Sequence, residues 1–139
     1  MDPLALLPDQ DPFVEALDAA VAEIEALPGP YGEQLATVAI VIEDEPTRDQ
    51  LASVHAPGLL GLYQGVPRTA YGADLVATPS KITLFRGPLL RAYHTPAALR
   101  EGVAATLIHE LGHHLGISDE RIDELQAERR RRGRAGSGR

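Results

Sequence analysis

The sequence predicts an α+β domain, and three observations carry that prediction. Two stretches with apolar residues at helical spacing, 12–27 and 96–115, each open on a cap-plus-proline signal, Asp11-Pro12 and Thr95-Pro96. Three short apolar runs lie between them and read as strands over 37–42, 59–63 and 81–86. The 139 residues are 44% hydrophobic, enough for one modest core and therefore one domain.

In the first helix Phe13, Leu17, Val21, Ile24 and Leu27 recur on one side, with Glu15, Asp18, Glu23 and Glu25 opposite. Pro28-Gly29-Pro30 ends it. Thr37 to Ile42 is a β-branched run and reads as a buried strand, stopped by Glu43-Asp44-Glu45-Pro46. A helical turn fits 47–53. Residues 65–80 contain Pro67, Gly72 and Pro79 and read as a long loop, a type of segment that often serves function. Lys81 to Arg86 is the third strand, ended by Gly87-Pro88. The helix from Pro96 turns Leu99, Val103, Leu107 and Leu111 inward and stops at Gly116, a residue suited to the turn after a helix. A last helix is expected from Ser118 or Asp119 to about Arg130, with Ile122 and Leu125 inward.

Composition removes several classes of protein. There is no cysteine, so disulfides and thiolate metal sites are excluded. Met1 to Phe13 has neither a basic region nor a long apolar stretch, and no run approaches the ~18 apolar residues of a membrane span. The expectation is a soluble, cytoplasmic protein. The net charge of −7 is unevenly spread: residues 1–128 carry −13, whereas Arg129 to Arg139 hold six arginines and no acid. The partition is a leader over 1–11, one domain over 12–128 and a flexible basic tail over 129–139. Such a tail is either a solvated terminus, which its glycines favour, or an electrostatic contact for nucleic acid or an acidic partner.

The chemistry is concentrated in His109-Glu110-Leu111-Gly112-His113-His114-Leu115-Gly116-Ile117-Ser118-Asp119. Residues 109 and 113 stand one helical turn apart, ~6 Å along the axis, and project from one face. Two imidazoles so placed can hold one tetrahedral ion through nitrogen. Glu110 is offset by one residue and suits a general base toward water at the open position. Gly116 lets the chain turn sharply, which can bring Asp119 back as a third ligand. His109, His113 and Asp119 are thus the expected ligands of one Zn2+ per chain, and Glu110 the catalytic base.

The pattern H-E-x-x-H-x-x-G-x-x-D resembles the metzincin-type zincins, with aspartate in place of their third histidine. The chain over about 12–126 is similar to a small bacterial minimal-zincin family of zinc metallopeptidases. The likeness includes Leu59-Leu60-Gly61-Leu62-Tyr63-Gln64-Gly65, Lys81-Ile82-Thr83-Leu84-Phe85-Arg86 and the metal segment running into Ser118-Asp119-Glu120. The resemblance implies a minimal zincin-like fold: a small mixed sheet packed on the active-site helix, with the first helix behind and a short C-terminal helix. It assigns the same ligands and the same base. The chain departs from metzincins after Asp119, because its only methionine is Met1, so no methionine turn floors the site.

An oxyanion stabiliser would come from Tyr63, Tyr71, Tyr93, Arg86, Arg91 or His94, although each of these types more often simply packs or is solvated. His114 points about 100° away from the metal face and reads as a surface or supporting residue. His55 falls in an expected loop with no visible partner. By analogy with zincins, strand 81–86 is the expected sheet edge for a peptide. The leading function is a zinc-dependent metallopeptidase-like hydrolase in which a metal-activated water attacks a peptide bond. The alternatives are a non-catalytic zinc-binding interaction module and a zinc hydrolase of nucleic acid using the arginine tail. The −13 body opposes the last of these.

Overall fold

A computed structural model describes residues 11–27, 29–54, 59–65 and 80–137. The described elements run α1 (Pro12–Glu25), α2 (Pro30–Leu35), β1 (Ala39–Glu43), α3 (Arg48–Val54), β2 (Gly61–Gln64), β3 (Lys81–Phe85), α4 (Arg86–Ala92), α5 (Pro96–His114) and α6 (Asp119–Ser137). Most of the leader, most of loop 65–80, His55 and Tyr71 lie outside the described residues.

Helix α1 starts where its cap predicts, with the Asp11 carboxylate accepting the Phe13 N–H at 2.9 Å. Arg86 grips the same carboxylate at 2.9 and 3.1 Å and lies over the Phe13 ring. Burial alone would raise the Asp11 carboxyl, but the Phe13 N–H and the guanidinium outweigh it and hold it below its ordinary value. The buried face of α1 is Phe13, Ala16, Ala20 and Ile24; the expected Leu17, Val21 and Leu27 are only partly buried. The alanines let α1 and α5 approach closely, and the larger side chains fill the flanks. Pro30, read as a terminator, is also the first residue of α2, where its fixed φ and missing N–H cost nothing.

The sheet order is β1-β3-β2. Strand β3 is central, parallel to β1 and antiparallel to β2, with Ile82 opposite both Ile40 and Tyr63. Two expectations change here. Residues 81–86 cannot offer an edge to a peptide, because β3 is paired on both sides. The 37–42 strand is not buried: β1 is an outer strand over 39–43 and leaves Ile42 40% exposed. The buried strand is β3, whose Ile82, Thr83, Leu84 and Phe85 are all fully covered. It stops at Phe85, and Arg86-Gly87-Pro88 opens α4, anchored by the Gly87 N–H on the Asp44 carbonyl at 2.9 Å.

Helix α5 is the centre of the molecule. Leu99, Val103, Leu107 and Leu111 are buried as expected, packed with Phe13, Ile24, Ile82 and Leu84. Each such side chain contributes ~1.5–3 kcal/mol on burial. Helix α6 continues seven residues beyond Arg130, to Ser137, and is therefore not short. The Gln126 amide donates to the Ala105 carbonyl at 2.7 Å. Arg129, expected to open a free tail, has only 13% of its side chain exposed and pairs with Glu23 of α1 and Glu101 of α5. No helix among the described residues is long and apolar enough to cross a membrane.

Candidate metal centre

The site begins with the end of α5. The Gly116 N–H donates to the His113 carbonyl at 3.0 Å and the Ile117 N–H to the Gly112 carbonyl at 2.9 Å. This is a Schellman turn, and it places Gly116 at φ 73°, a conformation that costs other residues roughly 1–2 kcal/mol. Ser118 then caps α6 by accepting the Arg121 N–H at 3.2 Å. Asp119 is the first residue of α6 and comes back over the last turn of α5. The two helices close at Gly112, where a Cβ would stand 2.5 Å from the Ile122 Cδ1.

His109, Glu110, His113 and Asp119 come together. The Asp119 Oδ1 lies 3.0 Å from the His113 Nε2 and 4.0 Å from the His109 Nε2. The two rings meet edge to face, 4.6 Å between centroids. Glu110 is buried; its Oε1 accepts the main-chain N–H of Tyr63 at 2.9 Å and lies 3.4 Å from the His113 Nδ1. Its Oε2 is 3.9 Å from the His109 Nε2. Donor atoms of His109, Glu110 and His113 all lie within 4.8 Å of one another. A tetrahedral ion with bonds of ~2.0–2.1 Å sets its ligand atoms about 3.3–3.4 Å apart. The two separations from Asp119 bracket that value, and two neutral imidazoles with one carboxylate suit zinc.

The hydrogen bond to Glu110, joined by that to Asp119, raises His113 from 6.5 to about 9 against the opposing effect of burial. The imidazolium in turn holds Asp119 below its ordinary 3.8. These shifts set a pH dependence. A raised histidine contributes stability that is complete below 6.5 and disappears as pH climbs through about 9. A depressed carboxyl contributes stability that is present above 3.8 and is lost on further acidification. Thermal melts of the metal-free protein are therefore expected to show Tm falling between pH 6.5 and 9. If His113 holds the metal, the extra Tm conferred by added zinc is expected to grow over the same interval, because binding must displace the His113 proton. A pH-independent zinc effect would contradict the placement of His113 at the metal.

A cleft of about 440 Å³ opens beside the cluster, with His109, Glu110 and Thr106 on its floor, Gly61 and Tyr93 on one wall and Asp123 and Arg130 on the α6 wall. Among the proposed oxyanion stabilisers, Tyr93 lines this cleft. The Tyr63 hydroxyl instead meets the His114 Nδ1 and the Ser80 Oγ, both at 3.1 Å. Arg86 is held by Asp11, Arg91 by Glu45, and His94 by the Arg91 carbonyl. His114 is not a surface residue: it is 2% exposed and lies between Tyr63 and Thr37. Sequence reasoning missed the Tyr63 N–H, since a main-chain donor leaves no mark in residue type. It also missed Asp123 and Arg130, although 119, 123, 126 and 130 share one face of a helix.

A helix bearing H-E-x-x-H, a glycine turn that returns a carboxylate, and a small mixed sheet alongside define the zincin class of metal-site protein. The zincin-like metallopeptidase family model matches residues 35–129, and the chain belongs to that family. No curated protein matches the chain significantly. Family and cluster together imply a zinc ion at the H-E-x-x-H site.

Proposed function

We propose that the protein is a zinc-dependent peptidase, with His109, His113 and Asp119 holding one zinc and Glu110 acting as general base. The observation that carries this reading is Glu110 itself: a buried carboxylate beside two metal-facing imidazoles, steadied by a main-chain N–H and open to a cleft. When bound, the metal supplies Lewis acidity toward a carbonyl oxygen and toward water. Glu110 takes a proton from the attacking water and passes it to the leaving amine. The Tyr63 N–H fixes which carboxylate oxygen stays loaded and leaves Oε2 for the proton.

Among the described residues strand β2 is the edge beside the site, so the peptide edge passes from β3 to β2. Tyr63 turns its N–H away from β3, and alternation turns the main-chain groups of Gly61 the same way, toward the cleft. An extended peptide pairs there as an added strand. Nucleic acid is not favoured, because Arg121, Arg129 and Arg132 spend their charge on glutamates.

The test is a peptide library incubated with zinc-loaded protein and read by mass spectrometry, with a chelator control. Internal amide cleavage that the chelator abolishes supports the proposal. One zinc per chain with no cleavage across a broad library overturns it in favour of a non-catalytic binding module.

A further inference from the structure

The histidine next to the last residue of the H-E-x-x-H motif has a task of its own. His114 is 2% exposed, and both its ring nitrogens are engaged, the Nε2 with the Thr37 Oγ1 at 3.0 Å and the Nδ1 with the Tyr63 hydroxyl at 3.1 Å. The direction of this chain follows from its far end. The Thr37 hydroxyl lies 2.7 Å from the Gln34 carbonyl, which can only accept, so its one proton points there. The Thr37 oxygen must then accept from the His114 Nε2–H. In a neutral imidazole the other nitrogen is the acceptor, so the Tyr63 hydroxyl donates to Nδ1. The Tyr63 oxygen remains able to accept from Ser80, 3.1 Å away at the start of β3.

The same tyrosine gives its main-chain N–H to Glu110. Tyr63 is thus fastened to α5 twice, by its ring to His114 and by its backbone to Glu110. The side chains at 110 and 114 are one turn apart on α5, so the two fastenings sit on one face. The tyrosine ring is the longer arm, and it ends in a part-buried hydrogen bond to His114.

We propose that His114 is a positioning residue for Glu110, acting through Tyr63: it fixes the tyrosine ring, which keeps the edge of β2 against α5 and the Tyr63 N–H on the carboxylate. Only the kinetic part of its test rests on the peptidase reading. Three variants separate the cases. Tyr63→Phe removes the hydroxyl alone. His114→Leu removes both ring partners. His114→Asn keeps an oxygen close to the place of Nδ1, where it can accept from Tyr63.

Three readouts apply to each: bound zinc, kcat and KM on a cleaved peptide, and hydrogen exchange of the residue-63 amide beside that of the central Leu84. Loss of one hydrogen bond is worth about tenfold in such quantities. Tyr63→Phe and His114→Leu are expected to keep zinc, to lose about tenfold in kcat with KM little changed, and to speed exchange at residue 63 about tenfold while Leu84 is unaffected. His114→Asn is expected to restore most of both effects. The proposal is overturned by normal exchange at residue 63 in Tyr63→Phe, by acceleration that includes Leu84 equally, or by His114→Asn and His114→Leu falling alike. Should the wild-type protein cleave no peptide, the exchange data still decide the role of His114, while the peptidase reading alone is lost.

Discussion

Glu110→Gln is expected to keep its zinc and to lose about 10²–10⁴-fold in peptide turnover. Glutamine has the shape of glutamate, and its carbonyl oxygen can still accept the Tyr63 N–H that glutamate accepts at 2.9 Å. The main-chain fastening therefore survives, and what disappears is the ability to take a proton. KM should change little, because glutamine keeps the shape of Glu110 on the floor of the cleft and leaves Gly61, Thr106 and Tyr93 as they are. The check is kcat and KM on zinc-loaded protein, with metal measured on the same preparation. Wild-type turnover in a fully loaded variant would remove Glu110 from the chemistry.

Asp119→Ala is expected to weaken zinc by about 10²-fold or more, because it removes one of the three proposed ligands. Its carboxylate lies 3.0 Å from the His113 Nε2 and 4.0 Å from the His109 Nε2, with the Tyr63-bound Glu110 toward the other nitrogen of the His113 ring. Its side chain is 74% exposed, so its removal should scarcely change the stability of the metal-free protein. Zinc titration calorimetry together with thermal melts in chelator separates the two quantities. Undiminished affinity would pass the third position to another donor, the nearest being Glu110.

The features legible in the sequence are those whose cause lies within a few residues. Asp11-Pro12 and Thr95-Pro96 start helices because a cap and a proline act locally, and both capping bonds form. The gathering of His109, Glu110, His113 and Asp119 was legible for the same reason: helical spacing and one glycine turn bring them together. Strand order was not legible, because nothing in Lys81–Phe85 states that it has a neighbour on each side. Nor was the start of α4 at Arg86: Gly87 and Pro88 read as a stop, and the structure makes them a helix by tying Gly87 to Asp44, far back in the chain. Nor was the anchoring of Arg129 legible: it meets glutamates 106 and 28 residues away, contacts that a run of arginines does not announce.

The metal-facing groups and the support of the base differ in how far apart their parts lie along the chain. His109 to Asp119 span eleven consecutive residues, whereas Tyr63 reaches Glu110 across a separation of 47. Local contacts re-form quickly and persist through partial opening; distant ones depend on the whole sheet staying docked. On the proposed ligand set, zinc content is accordingly expected to be a poor gauge of native protein. A partly opened molecule can hold its ion and be inert, so on gentle heating or in dilute denaturant catalytic competence should vanish ahead of the metal.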